Sequence, residues 1–136
     1  MKHRIVVCED DPLYGPMIKR FHEEVDAMLF GDAELIVIQT LSMLQHLLAT
    51  NGVSIIVMDL TLSDSRKEDT IEWVGSERAH LPPVYAITGD ETMQTREKCL
   101  SMGFCGFALK KHVNESPNFF FSSLLNEHIM RLQHGR

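Results

Sequence analysis

The spacing between hydrophobic residues changes repeatedly along the chain. Short continuous apolar runs alternate with longer segments in which apolar residues recur every three or four positions. Runs of the first kind are typical of strands buried on both faces, and segments of the second kind predict amphipathic helices. Five strands are predicted on this basis: Ile5–Cys8, Glu34–Gln39, Ser54–Asp59, Val84–Thr88 and Cys105–Leu109.

Five helices are predicted to alternate with these strands. The first begins near Pro12 and carries apolar residues from Leu13 to Val25. Gly103 suits the end of the fourth helix, because glycine commonly terminates helices. The segment Thr61–Asp69 lacks apolar periodicity and is predicted to be a polar loop. The other helices are predicted at Leu41–Ala49, Thr70–His80, Asp90–Met102 and Pro117 to about Gln133.

This alternation predicts an α/β fold. Buried strands separated by helices favour a doubly wound, five-stranded parallel sheet with five helices on its two faces, a three-layer sandwich. Right-handed crossovers between parallel strands place the helices on both faces. The 136 residues suit one core, so we expect residues 1–136 to form a single domain.

Composition narrows the class of protein. The net charge is −6 and no stretch is rich in lysine and arginine, which argues against nucleic acid as a direct partner. No apolar segment approaches the roughly 20 residues of a membrane span, and the basic start lacks the pattern of a signal peptide. We expect a cytoplasmic protein without a membrane partner. Three cysteines without paired spacing are predicted to be buried or half-buried small apolar residues: Cys8, Cys99 and Cys105.

Two of the predicted strands end in carboxylates. Glu9, Asp10 and Asp11 follow the first strand, and Asp59 ends the third. The carboxyl ends of parallel strands meet at one edge of a sheet, and like charges gathered there need a cation to hold them. Asp11 also suits a helix N-cap. We therefore predict a Mg²⁺ site whose ligands are Glu9, Asp10, Asp59 and the backbone carbonyl of Thr61.

Other residues at the same edge complete a chemical set. Thr88 offers a hydroxyl at the end of the fourth strand, and Gly89 offers an N–H group with room for close approach. Lys110 follows the fifth strand and supplies a mobile positive charge. A carboxylate nucleophile with a metal, a hydroxyl and a lysine describes phosphoryl transfer to Asp59.

Four segments carry a family resemblance. The chain resembles the receiver domain of two-component response regulators, which has a flavodoxin-like fold, over nearly its whole length. The resemblance implies that Asp59 accepts a phosphoryl group from a sensor histidine kinase or phosphotransfer protein, that Glu9 and Asp10 hold Mg²⁺, and that Thr88 and Lys110 contact the phosphoryl group. The four segments occur in the order and at the separations typical of the family: Ile5–Pro12, Ile55–Leu62, Val84–Gly89 and Gly106–Lys110.

The resemblance also implies how the protein would pass its signal to a partner. Phe107 would be the aromatic residue that repositions as Thr88 moves, and an unidentified downstream protein would bind the face formed by the fourth helix, fifth strand and last helix. No separate output domain is expected, and a homodimer is left open. Thr61, Gly89 and Asp90 border the site and are expected to tune switching or the lifetime of the phosphoryl group.

The chain departs from the family pattern around the site. Lys111 follows Lys110 where a proline is usual, and Leu62-Ser63 stands where Met-Pro is usual. Gly89 replaces a common alanine, and the loop Ser63–Asp69 is expected to have its own shape. These departures leave open a receiver-like adaptor that works without phosphorylation.

An enzyme is the more distant alternative. Aspartate-nucleophile phosphatases of the haloacid-dehalogenase type require a second acid two residues after the nucleophile, and that position is Thr61 here. We therefore expect a signalling domain that catalyses only its own phosphorylation and dephosphorylation.

Overall fold

The secondary structure follows the predicted alternation. The computed structural model describes residues 3–11, 16, 20, 33–50, 52–89 and 92–133. Its strands are β1 (His3–Cys8), β2 (Ala33–Ile38), β3 (Ile55–Asp59), β4 (Val84–Thr88) and β5 (Gly106–Leu109). Its α-helices, within those ranges, are α1 (Leu41–Thr50), α2 (Lys67–Glu77), α3 (Met93–Ser101), α4 (Lys110–Glu115) and α5 (Pro117–Gln133).

The five strands form one parallel sheet. Their order is β2-β1-β3-β4-β5, and every pairing is parallel. The chain runs from β1 outward to β2 and then returns to the other side of β1 for β3. This reversal creates a switch point between β1 and β3, where ligands bind in sheets of this class. The predicted doubly wound, five-stranded parallel sheet is confirmed.

The hydrophobic core is divided between the two faces of the sheet. Alternate residues of each strand point to opposite faces. On one face, Val6, Ile56 and Met58 pack with residues of α1, α2 and α3, among them Leu44 and Val74. On the other face, the strand residues Ile5, Val7, Ile55, Val57 and Ile87 pack against α4 and α5 through Val113, Phe121, Leu124 and Leu125. The three-layer arrangement follows from this double burial.

The predicted helix Thr70–His80 requires correction at both ends, and one helix was missed. The structure places the start of α2 at Lys67, before the predicted start at Thr70, and a 3-10 turn (Arg78–His80) follows its last residue. Glu68 and Asp69 occupy its first turn, where the helix dipole favours acids. The predicted loop therefore ends before Lys67. The helix α4 was not predicted, because Val113 is its one buried residue and leaves no apolar period to detect.

The first predicted helix lies mostly outside the described residues. Pro16 and Arg20, its two described positions, are both helical. Gly103 lies just beyond α3 with φ 105°, as its predicted capping position requires.

Exposure separates correct from incorrect side-chain predictions. Cys8 and Cys99 are buried as predicted, but Cys105 is exposed at the start of β5. Leu132, near the end of the last helix, is also exposed, because the helix extends beyond the sheet-facing cluster that ends with Ile129. None of the described helices combines the length and hydrophobicity of a membrane span.

Candidate functional site

The switch point of the sheet brings the predicted acids together. Cys8 and Met58 are paired in register, so the residues that follow them, Glu9 and Asp59, leave the sheet side by side. The Glu9 N–H donates to the carbonyl of Ile38 at 2.8 Å. This bond extends the sheet pairing beyond β1 and fixes the direction in which the Glu9 side chain leaves the strand.

Three carboxylates form a compact cluster at this point. One carboxylate oxygen each from Glu9, Asp10 and Asp59 can be chosen so that all lie within 4.8 Å of one another. Glu9 and Asp59 are 1% and 4% exposed, whereas Asp10 is exposed to solvent. The cluster is therefore closed on the protein side and open at Asp10, where an ion and its waters can enter.

Lys110 neutralises part of this charge. Its Nζ lies 2.7 Å from Glu9 Oε1 and donates to Asp59 Oδ2 at 3.4 Å. Burial lowers the pKa of the lysine, but the two carboxylates outweigh burial and raise that pKa above its ordinary value. Lys110 is thus firmly charged and bridges two of the three acids.

Glu9 lies in an unfavourable environment for a carboxylate. Burial raises its pKa to about 7; Asp59 adds to the increase, while Lys110 and the N–H of Asp11 oppose it. The Asp11 N–H donates to Glu9 Oε2 at 3.0 Å. Glu9 Oε1 is buried and, within the described part of the chain, has no partner in hydrogen-bonding geometry, although its ion pair with Lys110 is short.

The acid cluster fits a divalent cation. The donors are hard oxygens, one of them buried without a hydrogen bond, and three acids face one lysine. Mg²⁺ prefers such oxygens and retains several waters, which the open side at Asp10 can accommodate. The donor set and the excess negative charge thus suit Mg²⁺ chemically.

Thr61, Thr88 and Gly89 lie at the same edge of the sheet as Asp59. The Thr61 N–H donates to Asp59 Oδ1 at 3.1 Å. Thr88 is buried at the end of β4, next to β3, and Gly89 follows it. Thr61, Thr88 and Gly89 all line an open cavity of about 780 Å³. Asp90 lies outside the described residues.

Phe107 lies on β5, the strand that follows β4 in the sheet. It is half-buried against the cluster that includes α1, α2 and α3. It also lines a second cavity, of about 300 Å³, with Met93 and Arg96 of α3 and His112 of α4. A movement of this ring would therefore alter the surface between β5 and α3.

The loop after Asp59 contains an anchor that the sequence did not indicate. Asp64 accepts hydrogen bonds from the N–H groups of Leu41 and Ser42, at 2.9 and 3.1 Å, and so caps α1. Thr40 supplies the cap that can be recognised from sequence, since its hydroxyl accepts from the Met43 N–H. The role of Asp64 depends on a contact across more than 20 positions, which no local pattern reveals.

Comparison with known proteins supports the fold. No family model and no curated protein matches the sequence. A CheY-like response regulator receiver domain from Methanospirillum hungatei JF-1 has a TM-score of 0.76 at 16% identity, with 99% of this chain and 100% of that chain covered.

Two further solved structures have the same architecture. The non-phosphorylated HemR receiver domain from Leptospira biflexa has a TM-score of 0.70 at 26% identity, with 94% of each chain covered. The BeF3-activated receiver domain of RstA from Klebsiella pneumoniae has a TM-score of 0.70 at 20% identity, covering 93% of this chain and 97% of that chain. The resemblance is confirmed: this chain has the fold of a response-regulator receiver domain.

Proposed function

We propose that this protein is a phosphorylation-controlled signalling domain in which Asp59 is the phosphoryl acceptor. The arrangement of Asp59, Glu9, Asp10 and Lys110 at the switch point is the observation that carries this proposal. It combines a nucleophile, a donor set for Mg²⁺ and a firmly charged lysine in one site. Receiver domains are signalling domains rather than metabolic enzymes, and residues 1–136 would act as one of them.

The two oxygens of Asp59 are held differently. Oδ1 accepts the Thr61 N–H at 3.1 Å, whereas Oδ2 lies 3.4 Å from Lys110 Nζ, a longer contact. Oδ2 is therefore the oxygen better placed to bond to phosphorus. A phosphoryl group there would lie beside Lys110 and near Thr88, whose hydroxyl can donate to its oxygens. Mg²⁺, held by Glu9, Asp10, Asp59 and the Thr61 carbonyl, would offset charge that develops on those oxygens.

The donor in the cell would be a phosphohistidine on a sensor kinase or phosphotransfer protein, in the cytoplasm. The output would be a protein–protein contact on the face formed by α3, β5 and α5. The 300 Å³ cavity beside Phe107 lies on this face. Phe119 adds a large apolar surface at the start of α5, where it is 75% exposed while Phe121 is fully buried.

A mass measurement tests the phosphoryl transfer. Wild type, Asp59→Asn and the control Glu72→Gln, an exposed position on α2, are incubated with Mg²⁺ and phosphoramidate. We expect one phosphoryl adduct on wild type and on the control, none on Asp59→Asn and none when a chelator replaces Mg²⁺. An unlabelled wild type, or a fully labelled Asp59→Asn, overturns the proposal.

The loop geometry favours one alternative function. Asp64 ties the loop after Asp59 to α1, and the chain turns directly into α4 at Lys110. A loop anchored in this way suits a receiver-like adaptor that binds its partner without phosphorylation. Addition of Mg²⁺ and beryllofluoride distinguishes the two functions: altered hydrogen exchange around Phe107 and α3 supports the switch, and unchanged exchange supports the adaptor.

A further inference from the structure

A short helix begins at the lysine of the site. The strand β5 ends at Leu109, whose backbone is extended (φ −81°, ψ 137°), and α4 begins at the next residue, Lys110. Leu109 is paired in register with Thr88, so α4 starts level with the end of β4. The strand thus passes straight into the helix, and the place of the Lys110 side chain depends on how the first turn of α4 is held.

Two side chains of α4 face the protein. Val113 is fully buried and Lys110 is half-buried. Because residues three positions apart lie on the same face of a helix, these two side chains are neighbours on the inner side of α4. The remaining residues of the helix are exposed to solvent: Lys111, His112, Asn114 and Glu115.

Val113 connects this helix to the core. It belongs to the buried cluster that contains Ile87 of β4 and both Phe121 and Leu124 of α5. A helix of six residues is not stable by itself, because starting a helix fixes several residues for each hydrogen bond gained. The conformation of α4 therefore depends on tertiary packing, and Val113 is the residue of α4 whose apolar side chain supplies it.

The placement of Lys110 matters because its contacts are with other segments. Its Nζ lies 2.7 Å from Glu9 Oε1 and 3.4 Å from Asp59 Oδ2, and both acids follow or end strands of the sheet. A lysine carries its charge on a flexible four-carbon stem, so the stem needs a fixed origin if the charge is to stay between the two acids. A proline after the lysine would restrict the backbone there, but Lys111 does not.

We propose that Val113 is a positioning residue for Lys110. Its burial fixes the first turn of α4 and thereby directs the lysine towards Glu9 and Asp59, which makes a buried side chain responsible for a restriction that a proline would otherwise impose. For phosphoryl transfer this inference rests on the proposed function. For the placement of the lysine it rests on the packing of α4 alone.

The reactivity of the lysines tests the placement directly. Val113→Ala and wild type are treated with acetic anhydride in a chelating buffer, and acetylation of each lysine is followed by peptide mass spectrometry. An ion pair protects Lys110, because acetylation requires the neutral amine. Its acetylation should be about three- to fivefold faster in Val113→Ala, the size expected for loss of a partly exposed ion pair. Lys111 is exposed and should react equally in both proteins.

A matched variant controls for lost packing. Val74→Ala removes the same atoms from a fully buried valine of α2, which packs on the other face of the sheet. It should leave the reactivity of Lys110 unchanged, and Val113→Ile should retain the protection. Alanine favours helices more than valine does, so a loss in Val113→Ala cannot come from intrinsic helix propensity. Circular dichroism checks folding, and Val113→Thr, which keeps the side-chain shape, replaces Val113→Ala if that variant is unfolded.

Labelling by phosphoramidate and Mg²⁺ tests the consequence for the site. Val113→Ala should be labelled about tenfold more slowly than wild type, since small displacements of a positioned group can cost up to about 100-fold. Val74→Ala should change the rate by less than about twofold, the effect of lost packing alone.

The outcomes separate this inference from the proposed function. Equal reactivity of Lys110 in Val113→Ala and Val74→Ala overturns the role of Val113, whether or not wild type is labelled. Faster acetylation of Lys110 with an undiminished labelling rate upholds the placement and overturns its consequence for phosphoryl transfer. A wild type that phosphoramidate does not label overturns the proposed function, while the acetylation result still decides whether Val113 places the lysine.

Discussion

The acid cluster and the loop that follows Asp59 are adjacent in the chain but differ in their energetics. In the acid cluster, Glu9 and Asp59 are buried together, and the pKa of Glu9 rises to about 7 because burial disfavours its charged form. In the loop, polar groups satisfy one another: Asp64 caps α1, and the hydroxyls of Ser65 and Thr70 lie 2.7 Å apart.

The difference distinguishes residues that would take part in phosphoryl transfer from residues that hold the loop in its conformation. The acids are arranged for an ion and a phosphoryl group. When neither is bound, the cluster of buried carboxylates is expected to destabilise the fold. The loop contacts are complete within the protein and are expected to stabilise it. Buried charge without full compensation is a common property of functional sites. Neutralising an acid of the cluster should therefore stabilise the fold, whereas removing a loop contact should destabilise it.

The largest effect is expected from Lys110→Met. This variant leaves Glu9 and Asp59 buried beside each other without their shared cation. We expect the free energy of unfolding to fall by about 3 kcal/mol at neutral pH in a chelating buffer, the lower end for a broken buried pair. Chemical denaturation measures the change. Mg²⁺ should restore part of the loss, and the neighbouring Lys111→Met, an exposed position, should lie within about 0.5 kcal/mol of wild type.

Glu9→Gln is expected to stabilise the protein when Mg²⁺ is absent. The folded-state pKa of about 7 lies above the ordinary 4.5, and each pKa unit corresponds to about 1.4 kcal/mol. The folded state thus binds the proton more tightly, and wild-type stability falls as pH rises from 4.5 through 7. The two pKa values would correspond to about 3.5 kcal/mol, but Glu9→Gln also removes the ion pair with Lys110, so we expect a net gain of about 2 kcal/mol above pH 7 that disappears towards pH 4.5. A gain that persists unchanged at low pH contradicts this account.

Asp64→Ala should lower the free energy of unfolding, in contrast to Glu9→Gln, and should have the smallest effect of the three variants. It removes two hydrogen bonds from the start of α1, and loss of a helix cap typically costs about 1 kcal/mol. Denaturation of this variant beside Asp69→Ala, which loses an exposed ion pair and a first-turn charge but no cap of α1, measures the difference. If the two variants are equally stable, the loop is not anchored through α1.

Much of the fold was predictable because buried strands leave a clear pattern. The run Ser54–Asp59 is apolar up to its final carboxylate, and the structure buries every residue of β3. The start of α2 was missed because its first turn is polar and resembles a loop. The helix α4 was missed because six residues with one buried side chain show no periodicity.

The site was only partly accessible from sequence. Strand ends could be identified, so Glu9, Asp59, Thr88 and Lys110 could be assigned to one edge of the sheet, and the structure brings Glu9, Asp59 and Lys110 into contact there. The contact between Lys67 and the hydroxyl of Thr95 could not be predicted, because the two residues lie on different helices.

The sequence by itself determined the alternation of strands and helices and the acids and lysine at the strand ends. These features arise from local hydrophobic period and from the geometry shared by all parallel sheets. Only the tertiary structure decided which partners the charged side chains meet: Lys110 lies between two buried acids, Asp64 caps α1, and Lys67 contacts Thr95 of α3. Those pairings depend on distances between segments far apart in the chain, and electrostatic energies change steeply with distance and burial.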